Sequence, residues 1–329
     1  MSRVSRAVAA VASVTVLALT AGGCVTVHGE REIVPSATKA EAARALEDFT
    51  AAYNKADKNF DPSLDAARVA GPLSAINQSG LKAKRASNPD GNPNHSPLEL
   101  DDAKYVIPKQ AGWPRWFVAD TDSNRDKDDD PKQDTRWVLV FTRGSAEQLW
   151  EASYLTLLSP DEVPEFKKDS DGWAEPVPAD DAKLAVRPDR LSRGYTDYLG
   201  KGGDTFAAGS HTTGWRDIRE RNAKRPGLAT QYIDQPATNG DFAPVGLRTE
   251  DGGALMFYAS RHFERQTAAR GMTLKLDPEV KALLTGEAKT SVTLERVSNQ
   301  AARVPAKGAD ESAVEVLSRI QGLTGAKGE

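Results

Sequence analysis

Cysteine is almost absent: one thiol, Cys24, stands in 329 residues. A lone thiol cannot close a disulfide within the chain, build a sulfur-liganded metal site or run a dithiol cycle. Stability must therefore come from packing, which a chain of this length can supply. Histidine is scarce too, at four: His28, His95, His211 and His262. No HExxH occurs and no two histidines stand four apart, which removes the usual zinc patterns. GxSxG is missing. The stretch "GSHTTGW" (209–215) puts Ser210 beside His211, but chain neighbours rarely meet as nucleophile and base, so it reads as a polar loop before a helix. "GKGGDTF" (200–206) fits neither GxGxxG nor GxxxxGK[ST], and no usable phosphate loop is left. Basic charge is not in excess: the formal net is −4, unlike the footprint of a nucleic-acid binder.

The one long, uncharged apolar stretch lies near the amino terminus. Arg3 and Arg6 precede a run from Ala7 to Leu19 broken only by Ser13 and Thr15. That is shorter than the about 20 residues that span a bilayer core and suits the apolar region of a signal peptide. Thr-Ala-Gly-Gly-Cys (20–24) then places small side chains before the thiol. Small residues let a peptidase seat the backbone in a narrow cleft, and the sulfur is the nucleophile that accepts a diacylglyceryl group. The stretch resembles the lipobox of bacterial lipoproteins, with Ala21 where Leu is usual and Leu19 two positions further upstream.

The resemblance implies a signal peptide over 1–23, cleavage between Gly23 and Cys24, and fatty acyl (palmitate) chains on Cys24. It further implies a lipid anchor on the extracytoplasmic face of the plasma membrane. Two or more chains, at about 0.8 kcal/mol per buried methylene, hold where one would not. The alternative is an ordinary secretory signal cut near Ala21, leaving Cys24 free. Cleavage before Cys24 removes two arginines and no acid, so the net becomes −6, and the acyl chains, not broad charge attraction, must supply the anchoring. The Ala-, Arg-, Asp- and Gly-rich composition resembles that of proteins exported by high-GC Gram-positive bacteria.

Beyond the anchor, residues 24–37 read as a tether. Ala42, Ala45, Leu46, Phe49, Ala52 and Tyr53 recur at three and four and predict a helix over 38–58, with Thr38 and Glu41 forming a capping box. A second helix is expected over 61–77, broken at Gly71-Pro72, and a loop over 87–97. Aromatic and β-branched runs predict strands at 103–108, 115–120, 136–143 and 151–158, with 173–181 an edge strand fading into a linker. Helices are then expected at 189–199 and 213–223. Strands follow in "GLATQYID", "APVGLR", "GALMFYASRHFE", "GMTLKLD" and "KTSVTLERVS". Val314, Leu317 and Ile320 suggest a terminal helix over 310–323 within a tail at 310–329.

Arg143, Leu158 and Pro160 recur as Arg261, Leu276 and Pro278 at one constant offset, which points to a duplicated unit. Helices followed by antiparallel strands read as α+β. The order resembles the cone-shaped NTF2-like fold, a helix across a curved antiparallel sheet enclosing a pocket. Two such modules are expected, at 38–180 and 181–309.

Chemistry is thin. "DTDSNRDKDDD" (120–130) places Asp120, Asp122, Asn124, Asp126 and Asp128 at alternate positions, oxygen donors that suit calcium. Yet Arg125 replaces the EF-hand turn glycine and Pro131 replaces its last glutamate, and a solvated hairpin tip explains the loop equally. Tyr258, Ser260 and His262 share one face of a strand. Were that face to line a pocket, Tyr258 and His262 could act as an acid/base pair; otherwise His262 is a satisfied strand histidine. Trp116 and Trp137 read as core. No cofactor is expected. The leading expectation is an envelope lipoprotein that binds a partner or small ligand without catalysis. The alternatives are an enzyme working through Tyr258 and His262, and the solute-binding lipoprotein of an importer.

Overall fold

Thr38 sets the start of the first helix. Its hydroxyl accepts the Glu41 amide at 3.1 Å while the Glu41 carboxylate accepts the Thr38 amide at 2.8 Å, a reciprocal capping box. The helix, α1 (Lys39–Asn59), buries Ala42, Ala45, Leu46 and Phe49 along the expected stripe. The computed structural model describes residues 32–130 and 132–329; the signal segment and Cys24 lie outside the described residues.

The chain enters through a short strand, β1 (Val34–Pro35), ahead of α1. Residues 61–77 do not form one helix: Pro62–Leu64 make a single 3-10 turn, and α2 runs Gly71–Ser87. Gly71-Pro72 is thus a helix start, where proline's missing N–H costs nothing. Next come β2 (Leu100–Val106), β3 (Lys109–Gln110), β4 (Arg115–Ser123), β5 (Arg136–Arg143) and β6 (Glu151–Leu158). β3 pairs with β1, and β2-β4-β5-β6 form an antiparallel sheet.

The second half opens with α3 (Pro188–Lys201) and α4 (Thr213–Ala223). Then follow β7 (Lys224–Arg225), β8 (Leu228–Ala237), β9 (Val245–Arg248) and β10 (Ala254–Ala268). The chain finishes with α5 (Pro278–Ala282), β11 (Leu284–Thr285), β12 (Ser291–Val304) and β13 (Glu315–Gly328). These strands make a seven-stranded sheet, β11-β13-β12-β10-β8-β7, with β9 also paired to β10.

Period-two alternation decides the layering. On the four-stranded sheet Phe117, Ala119, Leu139 and Phe141 point into a cluster with Ala45, Leu46 and Phe49 of α1. Their neighbours Trp116, Val118, Val138, Val140 and Tyr154 point the other way and meet Leu255, Phe257, Ala259 and Ala301 of the large sheet. The far face of the large sheet, Met256, Tyr258 and Ala302, packs under Leu191, Tyr195 and Tyr198 of α3. The order is helix, sheet, sheet, helices, an α+β arrangement in which β4, β5 and the first half of β10 are buried on both faces. That is why β4 and β5 read as continuous apolar runs.

The region under α1 is filled: Phe117 stacks on Phe141 at 5.0 Å and Trp150 meets Phe117 edge-on at 4.9 Å. One cluster is drawn from both expected modules, so neither sheet closes its own core on the shared side.

Three further expectations are corrected. Residues 310–323 are not a helix; the segment becomes β13, paired antiparallel with β12 from Ala302↔Val316 to Val292↔Gly328. Pairing along a long strand outweighs a weak three-residue stripe that also contains Gly322, a poor helix former. Gly322 matters to the packing, since a Cβ there would lie 2.6 Å from Cγ2 of Ile76 on α2. Residues 271–277 form no strand, and 173–181 offer only isolated bridges at Ala174 and Pro176. The 118-residue correspondence therefore sets Leu158, inside β6, against Leu276, outside any strand, and the end of β5 against the middle of β10.

Candidate functional site

The far face of the large sheet gathers the polar groups. Alternation along β10 turns Tyr258, Ser260 and His262 to the same side, opposite Gln300, Ser298 and Arg296 of β12. Asp234 of β8 lies across from His262, and Arg319 and Gln321 of β13 lie across from Gln300 and Ser298. α4 lays Trp215 and Arg219 over this patch.

Asp234 organises it. Its two carboxylate oxygens accept Nη1 and Nη2 of Arg219 at 2.7 and 2.8 Å, a bidentate fork, and Oδ1 lies 2.6 Å from His262 Nδ1. The far ring nitrogen, Nε2, lies 2.7 Å from Ser298 Oγ, which also accepts Gln300 Nε2 at 2.6 Å. Burial alone would raise the Asp234 pKa; the hydrogen bonds from His262 and Arg219 and the guanidinium charge outweigh it and hold the carboxyl below its ordinary value. Burial pushes the His262 imidazole down, against the pull of Asp234. The network then assigns the protons: a neutral ring donates from Nδ1 to Asp234 and accepts the Ser298 hydroxyl at Nε2. Arg219 Nη2, 3.2 Å from Nδ1, is a close neighbour, since both nitrogens carry hydrogens in this state.

The order Asp234–His262–Ser298 matches that of a nucleophile relay. Its serine, however, stands fully buried in a central strand. The adjoining cavity, about 240 Å³, is lined by His262 but not by Ser298. The relay therefore fixes a proton and a ring orientation inside the sheet. Tyr258 shares the face with His262, as expected, but both ring nitrogens of His262 are taken by Asp234 and Ser298. The Tyr258 hydroxyl has no partner among the described residues, burial drives its pKa well up, and its ring packs edge-on to Tyr195 at 5.9 Å. The two do not form an acid/base pair.

The cavity itself is lined by aromatic rings and by two arginines, each paired with a carboxylate. Arg219 lies between Trp215 and Tyr232, its guanidinium carbon 5.2 and 5.0 Å from the ring centres. Arg296 completes the wall, 3.7 Å from the Glu264 carboxylate; Arg319, outside the cavity lining, stacks on Trp215 at 3.9 Å. Sequence reasoning found His262 and missed Asp234, Arg219, Ser298 and Arg319. The available signal was polarity inside a strand: Ser298, Asn299 and Gln300 interrupt the apolar centre of β12.

The acidic loop gathers only part of its expected set. Carboxylate oxygens of Asp122, Asp126 and Asp128 lie within 4.8 Å of one another. Asp120 instead binds Arg136 Nε at 2.7 Å. Asn124 is spent on the loop, accepting the Glu99 amide at 3.0 Å and donating to Pro97 O at 3.0 Å. Asp126 Oδ2 accepts the amide and hydroxyl of Thr135. Trp116 and Trp137 are core, as expected. His95 pairs with Asp57 at 2.8 Å, and the His211 carbonyl accepts the Tyr195 hydroxyl at 2.6 Å.

Among the described residues no helix is long and apolar enough to cross a membrane. A family model described as a domain of unknown function, DUF8094, matches residues 33–328. An uncharacterised lipoprotein of Streptomyces coelicolor is 60% identical over 97% of this chain and 94% of its own length. One from Streptomyces avermitilis is 58% identical over 97% and 95%. A further uncharacterised lipoprotein of Streptomyces coelicolor is 29% identical over 90% and 87%. No solved structure matches.

Proposed function

The chain belongs to the DUF8094 family, and from that premise we propose that it is an envelope lipoprotein, exported and cut between Gly23 and Cys24. Acyl chains on Cys24 hold it on the outer face of the plasma membrane, where it binds a small ligand. One observation carries the reading: the only thiol in the chain directly follows Thr-Ala-Gly-Gly at the end of the apolar run. The lipoprotein names of the Streptomyces relatives support it.

The fold is compatible with such a tether. Residues 25–31 reach at most about 25 Å at 3.3–3.6 Å per residue, so the end where β1 enters must face the bilayer closely. That end exposes Ile33, Trp113 and Leu149. Trp113 follows the β1–β3 pair, and Arg143, 5.4 Å from its ring centre, shares a groove with Leu149. Tryptophan favours the headgroup level of a membrane, where one side of the ring is apolar and the N–H stays wet.

The experiment is mass spectrometry of the amino-terminal peptide of protein recovered from membranes. A diacylglyceryl group on Cys24, with Cys24→Ser failing to acquire it, is expected. An unmodified thiol on protein recovered from culture fluid overturns the reading.

A further inference from the structure

One end of the four-stranded sheet holds three large apolar side chains in the open: Ile33, Trp113 and Leu149, 68%, 36% and 50% exposed. Topology brings them there. β4 begins at Arg115 and β5 ends at Arg143, and these two residues pair across the strands. The turns that carry Trp113 and Leu149, one before β4 and one after β5, therefore leave the sheet at the same end. Ile33 precedes β1, whose residue Val34 pairs with Gln110, three positions before Trp113.

The Trp113 ring is held in place. The guanidinium carbons of Arg115 and Arg143 lie 4.9 and 5.4 Å from its centre, and the Gln110 side-chain amide donates to Pro114 O across the turn. Glu41, 3.7 Å from Arg143, offsets that charge, so this end offers a membrane apolar contact more than a cationic patch. The other end of the sheet is different. Residues 120–134 carry seven aspartates against Arg125, Lys127 and Lys132, a local net of −4. β4 spans nine residues, which puts that acidic tip about 26 Å from the Trp113 turn at 3.3 Å per residue.

Chain length selects what meets the apolar end. The seven residues 25–31 span at most about 25 Å and arrive beside β1, at the end away from the acidic tip. We propose that this end is a second membrane contact: Trp113, Leu149 and Ile33 enter the headgroup layer, so that the folded protein binds a bilayer without its acyl chains. The proposal rests on the lipoprotein reading for bringing a bilayer within reach. Such binding scales with the apolar area buried, and an indole suits the headgroup level. The surface charge of anionic lipid repels the acidic tip, which points away from the membrane and fixes the orientation.

The test uses the mature chain, residues 24–329, carrying Cys24→Ser so that no acyl group contributes. Every core cluster lies within residues 37–326, so the whole packed structure is retained. Co-sedimentation with vesicles of equal parts phosphatidylglycerol and phosphatidylethanolamine measures binding. The parent chain is expected to bind, about tenfold more weakly with Trp113→Ser and about fivefold with Leu149→Ser, at unchanged melting temperature. Ile233→Ser removes an isoleucine that is 58% exposed on β8 and should leave binding unchanged. With Cys24 replaced the chain has no thiol, so Leu149→Cys and Asp128→Cys each give one place for a nitroxide. On vesicles the label at 149 should be shielded from aqueous nickel, and the label at 128 should not.

If Trp113→Ser does not fold, Leu149→Ser carries the comparison. No vesicle binding by the parent chain overturns the proposal. So does weakening by Ile233→Ser as large as that by Leu149→Ser, or a label at 149 as open to nickel as the label at 128. None of these readouts depends on lipid at Cys24, so loss of the anchor reading and loss of this contact are separate results.

Discussion

His262 Nδ1 lies 2.6 Å from Asp234 Oδ1, and the Arg219 fork grips the same carboxylate. The side chains of Asp234 and His262 are 7% and 3% exposed, so the carboxylate, the one acid paired with Arg219 among the described residues, holds a buried guanidinium and a buried neutral ring in one arrangement. Such a network is stable when every member is satisfied and costly when one is removed.

Asp234→Asn leaves the Arg219 guanidinium buried without its partner. The expected loss is about 3–5 kcal/mol of folding stability, the range for breaking one side of a buried pair. Urea unfolding of both proteins measures it, and a midpoint unchanged within error contradicts the ion-pair account.

Ser298→Ala takes away both the hydroxyl that His262 Nε2 accepts and the oxygen that Gln300 uses. A loss of about 1–3 kcal/mol is expected, the cost of leaving buried partners unsatisfied. A double-mutant cycle with Gln300→Leu should return a coupling energy different from zero if the three groups form one network.

Acid should weaken the fold through His262. Its folded pKa lies below the ordinary 6.5, so the unfolded chain binds a proton first as the pH falls. This contribution is complete above 6.5 and is lost as the pH drops below it toward the folded pKa. His211, also lowered by burial, adds with the same sign. Asp234, held below its ordinary 3.8, adds a second loss only in stronger acid. Thermal melting against pH should show the first decline just under 6.5, and His262→Gln should make that decline shallower.

Phe117→Ala opens the filled space under α1. Phe117 is fully buried between Phe141 and Trp150, so a loss of about 3–5 kcal/mol is expected. A value near zero would mean that the α1 layer collapses into the gap, which a change in near-ultraviolet dichroism would reveal.

Trp113 offers a test of orientation at the membrane. In protein bound to vesicles, brominated lipids should quench part of the tryptophan emission, and Trp113→Phe should remove most of that part. Equal quenching in both proteins places another face on the bilayer.

The sequence by itself determined the features that are local. Thr38 and Glu41 cap their own helix, Phe49 and Leu46 mark its inner stripe, and aromatic runs such as "RWVLVFTR" announce strands, because each depends on neighbours within a turn or a pleat. The proposed anchor at Cys24 belongs to the same class, since on that proposal a peptidase and an acyl transferase would read the segment before any folding. What only the tertiary structure decided is non-local. Residues 315–328 become a strand because β12 offers them a free edge. Val118 and Phe117 are both buried because a second sheet covers the side that α1 leaves open. Asp234, His262, Ser298 and Arg319 come from four strands, and their meeting is fixed by register across the sheet, which spacing along the chain does not encode.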